Sequence, residues 1–394
     1  MFRRGRSRRE MLLLAGAAVA APVVAAPFVL RKDVVPALRN LAGPEPAAPV
    51  LNAPEAVAAA EEVVAPWMAG KSAPGAVLGV IRGGRPILKW GYGVRALNDP
   101  AQPDPDTVFH IASVAKPVTG YALLLLVQDG KLDLDAPASL YLPELPAAWA
   151  PITVRQFLSH VSGIRTVGAF FGDDWLKALE GAAKVPVKPP GVELKYNNFN
   201  YVVLGQLIER MSGMSYAGFV QQRIFDPLGM TRSFVGRGDY PNQARGNLAN
   251  KTGWYTPTHT FLDAPYWAPA GWMQASLNDM MAFVAAVQSK KLLHEPVWEN
   301  VVRRYAPDIR GAGGWFAKTF EGVPIWEKLG RIAGFSADVE FNARGDAIVL
   351  MWNCQTYRDD SIVARTALRH RLFGLGTGEL QGPRASVLNE QKWG

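Results

Sequence analysis

The chain has 394 residues, of which 49% are hydrophobic and 19% charged, a composition typical of packed globular proteins and not of disordered ones. The net charge of +8 falls to +4 without residues 1–26, which hold five Arg and one Glu and leave 37 basic and 33 acidic residues. A nucleic-acid-binding function therefore loses most of its support. The single Cys354 excludes an intrachain disulfide, and without C-x-x-C or H-E-x-x-H motifs no metal site is indicated.

The N-terminus has the features of an export signal. Five arginines lie in the first nine residues, and the pair Arg8-Arg9 precedes an uncharged apolar run, which is typical of twin-arginine signals. We predict a signal peptide over residues 1–26, cleaved after Ala25 or Ala26, and a periplasmic or otherwise exported protein. The run of 20 residues is just long enough to span a bilayer, so a retained anchor stays an alternative. The protein would contact the membrane only in that case.

Composition divides the rest of the chain into three parts. Residues 27–54 are rich in Ala and Pro and are interpreted as a linker. Residues 55–374 carry the apolar periodicity of a folded domain. Residues 375–394 are polar and Gly-rich and are predicted to be a frayed tail.

Apolar spacing and turn residues predict the elements of the folded domain in chain order. Helices are predicted over residues 55–65, from near residue 113, and over 201–211, 277–289 and 360–373. Strands are predicted over residues 76–81, 86–94, 325–330, 337–341 and 347–353. The first two strands flank Gly83-Gly84 and are expected to form a hairpin, Gly213 is expected to close a helix, and Ser276 is expected to open one. Residues 143–190 mix short helical pieces with Gly and Pro, as expected of a helical lobe.

The tetrapeptide Ser113-Val-Ala-Lys116 stands where a polar approach passes into an apolar run. A serine hydroxyl is a weak nucleophile at neutral pH and needs a neighbouring base. Residues three apart share one face of a helix, so the Lys116 amine can lie close to the Ser113 oxygen. In a first helical turn, which tolerates Pro117, the backbone N–H groups and the helix dipole favour a developing oxyanion. The motif predicts a serine nucleophile that needs no histidine, and the absence of G-x-S-x-G argues against an α/β-hydrolase.

Further segments follow this tetrapeptide in a definite order. With the residues around it they are FHIASVAK at 109–116, ITVRQFLSHVSGI at 152–164, KYNNFNYVVLG at 195–205, PLGM at 227–230, AGWMQASLND at 270–279 and GFS at 334–336. Any one of them matches by chance, but the ordered set resembles the class C β-lactamase-like serine hydrolases. That family includes penicillin-binding D,D-peptidases and esterases, and the resemblance runs from about residue 55 to about residue 373.

The resemblance implies a fold and a set of roles. The fold is α+β, with an antiparallel sheet flanked by helices, an all-helical lobe beside it and Ser113 at their junction. Ser113 is implied to be the acylated nucleophile, Lys116 its partner, Tyr196 the general base or acid, and Asn198 an amide that orients the substrate. Whether Tyr196 or Lys116 is the base stays open. No cofactor is implied.

The resemblance implies a third polar element after S-x-x-K and Y-x-N. It is a K-x-G segment on a strand near the C-terminus, shortly before Gly-Phe-Ser. Lys328-Leu-Gly330 fits this place, whereas the literal K-T-G at Lys251 lies only 55 positions after Tyr196, against 132 for Lys328. A proline six residues after Lys251 would also interrupt a central strand. We therefore interpret Lys251 as a chance match. The backbone N–H of Arg331, after Gly330, is implied to be the second oxyanion donor beside that of Ser113.

Two ammonium groups near one phenol would favour its phenolate, so this arrangement predicts that the pKa of Tyr196 is lowered. Five tryptophans are expected in or near segments that flank the cleft, where they either line it or pack in the core: Trp254, Trp267, Trp272, Trp315 and Trp326.

Three functions remain open at this point. The first is an exported serine esterase or amidase that acts on a small-molecule ester or amide. The second is a D,D-peptidase or β-lactamase that uses the same residues on peptidoglycan peptides or β-lactams, and the third is a non-catalytic binding protein. Retention of all three polar elements argues against the third. In β-lactamases of this family a hydroxyl at the position of Leu329 helps to hold the substrate carboxylate, and its absence here favours esters. Arg331, two positions on, can compensate in part.

Overall fold

The computed structural model describes residues 51–71, 73–165, 174–236, 238, 240–249, 255–257, 265–355 and 361–376. The strands in these ranges are β1 (Leu51–Asn52), β2 (Gly75–Arg82), β3 (Arg85–Gly93), β4 (Val108–His110), β5 (Phe234–Val235), β6 (Asn247–Ala249), β7 (Tyr255–Pro257), β8 (Met273–Ser276), β9 (Gly311–Ala312), β10 (Trp315–Phe320), β11 (Val323–Ile332), β12 (Phe335–Asn342), β13 (Ala347–Trp352) and β14 (Cys354–Gln355). The helices are α1 (Pro54–Lys71), α2 (Ala115–Gln128), α3 (Val154–Leu158), α4 (Trp175–Ala183), α5 (Asn198–Ser212), α6 (Tyr216–Val220), α7 (Asp226–Leu228), α8 (Ala268–Gly271), α9 (Leu277–Gln288), α10 (Glu295–Val302) and α11 (Ser361–Phe373).

The centre of the fold is an eight-stranded sheet in the order β1-β3-β2-β13-β12-β11-β10-β9, with every neighbouring pair antiparallel. Its central strands are buried on both sides, because side chains alternate between two apolar layers. Along β2, for example, Leu78 and Val80 belong to one layer, and Val77 and Ile81 to the other.

The layer under Leu78 is covered by the terminal helices α1 and α11, which pack on each other. The opposite layer is continuous with the core of the helical lobe, where α2 lies against α5 and α8. Helix α2 is buried almost throughout, from Ala115 to Leu126. The α+β fold implied by the resemblance is therefore confirmed, and the sheet meets the helical lobe where β4 leads into α2.

The elements predicted from the sequence are present with small shifts at most ends, although the helix predicted over residues 55–65 extends to Lys71. Gly83 and Gly84 form the hairpin turn between β2 and β3 with φ of +54° and +77°, a conformation that glycine adopts at little cost. Gly213, with φ of +72°, ends α5. Ser276 caps α9 by accepting the backbone N–H of Asp279.

Two boundaries differ from the expected ones. Leu51 and Asn52, which we assigned to the linker, pair with β3 as an edge strand. Leu375, assigned to the frayed tail, is only 1% exposed and packs on Phe320, Val323 and Ile325. Among the described residues, no helix is both long and apolar enough to cross a membrane. The predicted signal peptide and most of the linker lie outside the described residues.

Candidate active site

Ser113 lies on the short 3-10 turn Ala112–Val114 that opens α2, at the junction of the sheet and the helical lobe. Its Oγ is 3.1 Å from Nζ of Lys116, so the spacing of three residues does bring the two groups together. The residue before it, Ala112, has a φ of +48°, which costs a non-glycine residue about 1–2 kcal/mol. The surrounding structure thus holds the nucleophile turn in a conformation that the chain alone does not prefer.

The Lys116 amine is fully buried and has three polar neighbours among the described residues. Nζ is 2.8 Å from Oδ1 of Asn198, and it also contacts the backbone oxygen of Ala270 and the Ser113 hydroxyl. Burial, helped by the nearby Lys328, holds the pKa of Lys116 well below its usual range. A neutral amine has two N–H groups and one lone pair. If the N–H groups point to Asn198 and Ala270, the lone pair faces Ser113 and can accept its proton.

Tyr196 lies on the other side of the nucleophile, with its hydroxyl 2.7 Å from Ser113 Oγ. The prediction of a lowered pKa is wrong: burial raises the pKa of Tyr196, and the hydrogen bond with Ser113 opposes this only in part. The expectation left out burial, which disfavours the Tyr196 phenolate and also lowers the pKa of Lys116 and of Lys328. Tyr196 therefore keeps its proton and can donate it to Ser113 Oγ.

Lys328 reaches the site from β11, as placed from the sequence. Its Nζ lies 4.8 Å from the ring centre of Tyr196 and 4.5 Å from that of Phe316, without a hydrogen-bond partner among the described residues. Burial lowers the pKa of Lys328 to about 7, while the charge of Glu327 acts in the opposite direction. The Glu327 carboxylate is itself 2.5 Å from the Lys318 amine. Lys251, the alternative candidate, lies outside the described residues.

Gly330 lets β11 approach the nucleophile turn. A Cβ at this position would lie 2.2 Å from the backbone oxygen of Ile111, so any larger residue would push the strand away from Ser113. The next residue, Arg331, lies beside this contact. Its guanidinium is 2.8 Å from the buried carboxylate of Asp338 and lies over the ring of Trp352. It is therefore already paired, and the idea that it compensates for the missing hydroxyl at position 329 loses support.

The Y-x-N segment stands at the start of α5, which explains its geometry. Asn197 is the N-cap, and its Oδ1 accepts the backbone N–H of Phe199 at 2.9 Å. Its amide donates to the backbone oxygens of Ile164 and Arg165, so Asn197 faces away from the nucleophile. Capping at this point leaves Asn198, the first helical residue, directed at Lys116.

His160 is a site residue that our sequence reasoning missed. Its backbone oxygen accepts the N–H of Lys195, and its Nδ1 lies 3.3 Å from the N–H of Asn197, so it brackets Tyr196 on both sides. The two rings are 4.6 Å apart between centres. Burial and the nearby Lys328 and Lys116 hold the pKa of His160 well below its usual range. Its only sequence signal was its place in the segment 152–164.

The cleft beside the nucleophile is small, about 70 Å³, and mostly apolar. Its lining consists of Ala112, Ser113, Asn198, Trp267, Ala270, Gly271, Trp272, Arg331 and Ile332. Two of the five tryptophans considered from the sequence thus face the cleft. Trp315 and Trp326 instead pack on Phe341, with ring centres 5.0 and 5.2 Å from it, and Trp254 lies outside the described residues.

This fold and this Ser-Lys-Tyr geometry define a serine-hydrolase type of site. The Beta-lactamase family model matches residues 60–372, and the chain belongs to this family. The putative penicillin-binding protein PbpX of Bacillus subtilis (strain 168) is 29% identical over 282 residues, covering 70% of this chain and 69% of that protein. Protein flp of Staphylococcus aureus (strain COL) is 24% identical over 307 residues, covering 71% of this chain but only 59% of that protein.

Solved structures agree with this assignment at the level of the fold. The octameric penicillin-binding protein homologue from Pyrococcus abyssi has a TM-score of 0.73 at 24% identity, covering 82% of this chain and 79% of its own. The D-amino acid amidase from Ochrobactrum anthropi SV3 has a TM-score of 0.72 at 21% identity, covering 81% of this chain and 99% of its own.

Proposed function

We propose that this protein is an exported serine hydrolase that acts on esters or amides through an acyl-enzyme on Ser113. The observation that carries the proposal is the position of Ser113 Oγ, 3.1 Å from the Lys116 amine and 2.7 Å from the Tyr196 hydroxyl. A hydroxyl between a neutral amine and a protonated phenol has both a base and an acid in contact, which is what acyl transfer through serine requires.

The first half-reaction is acylation. The Lys116 lone pair takes the Ser113 proton while Oγ forms a bond to the substrate carbonyl carbon. The resulting oxyanion would be held by the backbone N–H groups of Ser113 and Arg331. The tetrahedral intermediate then collapses, the bond to the leaving alcohol or amine breaks, and that group receives the proton from Lys116, either directly or through Tyr196.

The second half-reaction is deacylation by water. Water loses a proton to the same base and attacks the acyl carbon, and the bond to Ser113 Oγ breaks. The serine regains its proton, and the free acid leaves.

We favour esters because the described cleft offers little to hold a substrate carboxylate. Leu329 carries no donor, the Arg331 guanidinium is paired with Asp338, and Trp267, Trp272 and Ile332 present apolar surface. A carboxylate desolvated without a partner costs several kcal/mol. The purified mature protein is therefore expected to hydrolyse p-nitrophenyl butyrate with at least about a tenfold higher kcat/KM than nitrocefin or a D-Ala-D-Ala peptide. Efficient nitrocefin cleavage with no ester hydrolysis would contradict this preference.

The second candidate is a D,D-peptidase or β-lactamase. It is supported by the similarity of the chain to a putative penicillin-binding protein and to a penicillin-binding protein homologue. The substrate panel above separates it from the ester preference. A non-catalytic binding protein is the third candidate. Intact-mass spectrometry after treatment with a fluorophosphonate and, separately, with a penicillin tests it: a stoichiometric adduct with either reagent supports the serine hydrolase, and no adduct with either supports the binding protein.

The export part of the proposal rests on the twin arginines. Replacing Arg8 and Arg9 with Lys is expected to leave the precursor in the cytoplasm, because the twin-arginine route reads this pair. Cell fractionation and immunoblotting of the wild type and the double-Lys variant measure the distribution. Normal delivery of the variant would point to the general secretory route, and a wild-type protein recovered in the membrane fraction would support a retained anchor.

A further inference from the structure

The buried His110, at the end of β4, lies three residues before the nucleophile. Its ring packs on those of Trp272 and Phe335, whose centres are 5.9 and 6.0 Å away. Its Nδ1 accepts the backbone N–H of Ala112 at 3.1 Å, while its Nε2 has no hydrogen-bond partner among the described residues. Nothing in the acylation scheme above uses this residue.

The contact matters because of where Ala112 stands. Its backbone is left-handed, and the peptide that follows it carries the Ser113 N–H, one of the two proposed oxyanion donors. The N–H of Ile111, just before it, is tied to the backbone oxygen of Met273 at 3.0 Å. Two consecutive peptide N–H groups are therefore held, the first by a neighbouring strand and the second by the His110 ring.

We infer that His110 is a positioning residue, whose Nδ1 fixes the strained Ala112 peptide and thereby aims the N–H and hydroxyl of Ser113 at the substrate carbonyl. The inference rests on the proposed role of Ser113. It requires a neutral ring with its proton on Nε2, since a protonated Nδ1 has no lone pair to accept with. Burial lowers the pKa of His110 to about 4, which keeps the ring neutral at physiological pH.

An asparagine side chain also readily accepts a hydrogen bond from the backbone N–H two residues further along the chain, as His110 does from Ala112. His110→Asn can therefore restore the acceptor in the space left by the ring, although it packs poorly on Trp272 and Phe335. His110→Leu has the opposite properties, because it fills the apolar space but accepts no hydrogen bond. The two variants separate positioning from packing.

We expect the limiting rate of acylation by a fluorophosphonate to be at least about tenfold lower in His110→Leu, with the reagent concentration that gives half of this rate nearly unchanged. In that reaction the bond from Ser113 Oγ to phosphorus forms, fluoride leaves, and the serine proton passes to Lys116. His110→Asn should acylate within about threefold of the wild type, although its thermal midpoint should be lower than that of His110→Leu. Stopped-flow labelling of the folded fraction, with thermal unfolding in parallel, measures both.

Wild-type acylation in His110→Leu, or equal slowing in both variants, would overturn the inference. Should neither variant fold, ¹⁵N NMR of the wild-type protein at pH 7 decides: a His110 ring protonated on Nδ1 rules the inference out, and the Nε2–H tautomer supports it. Failure of the proposed function gives a different result, because the wild type itself would then take up no fluorophosphonate.

Discussion

Ser113→Ala is expected to lower ester hydrolysis by at least about a thousandfold and to abolish labelling by a fluorophosphonate. Lys116 and Tyr196 both direct their polar atoms at Ser113 Oγ, and without that atom neither has a nucleophile to activate. Steady-state kinetics and intact-mass spectrometry measure the two effects. Because Ser113 lies at a cleft and is only partly buried, the thermal midpoint of the Ser113→Ala variant should stay within about 2 °C of that of the wild type.

Ser289→Ala is the matched control for this variant. Ser289 is exposed at the end of α9, and among the described residues its hydroxyl donates only to backbone oxygens of that helix, those of Ala285 and Ala286. Its activity and labelling should equal those of the wild type. Stoichiometric labelling of Ser113→Ala would show that another residue is the nucleophile. If Ser113→Ala does not fold, peptide mapping of the labelled wild-type protein identifies the nucleophile instead, and a label outside the Ser113 peptide would contradict the assignment.

The parts of the fold that the sequence predicts well are those controlled by local periodicity and turn chemistry. The β2–β3 hairpin needs two residues with positive φ, and Gly83-Gly84 signals them directly. The spacing of Ser113 and Lys116 likewise needs only helical geometry. The order of the strands in the sheet is different, because β13 pairs with β2 across a long stretch of sequence. No local pattern indicated that pairing, and the family resemblance implied an antiparallel sheet without giving the order of its strands.

The electrostatics of the site could not be predicted from the sequence. Counting two lysines near Tyr196 gave the wrong direction for its pKa, because the count leaves out burial, which acts on all three groups at once. The ion pair between Arg331 and Asp338 could not be predicted either, because it depends on the tertiary structure. The carboxylate lies on the neighbouring strand, and strand register is not visible in a single sequence.

The domain boundaries show the same limit at smaller scale. Leu51 and Leu375 stand in polar, Ala-, Pro- or Gly-rich surroundings, so composition assigned them to the linker and the tail. Leu51 lies in an edge strand, and Leu375 packs on a small separate apolar cluster. Single residues that complete a sheet edge or a cluster carry no periodic signal, and only the assembled fold shows them.

Lys328→Met is expected to slow acylation by roughly a hundredfold, because it removes the cation that can form beside the developing negative charge. Methionine keeps most of the side-chain volume, so the contacts with the rings of Tyr196 and Phe316 are largely retained. Single-turnover labelling with a fluorophosphonate measures the rate. Lys251→Met is the control and should stay within about threefold of the wild type, because we interpret the K-T-G at Lys251 as a chance match to the motif. A reversal of the two results would place the third element at Lys251.

The same variant should change stability in a direction that depends on pH. Burial lowers the pKa of Lys328 from 10.5 to about 7, so between these values the unfolded chain binds a proton that the folded chain does not. The free-energy cost of burying the charged Lys328 amine is therefore greatest below pH 7, and it decreases as the pH rises towards 10.5. The gain in unfolding free energy of Lys328→Met over the wild type should thus be larger at pH 6 than at pH 10, as measured by urea denaturation. If the variant and the wild type differ in unfolding free energy by the same amount at both pH values, the Lys328 amine stays protonated and well solvated in the folded protein. Its charge would then be present beside the nucleophile without a cost in stability.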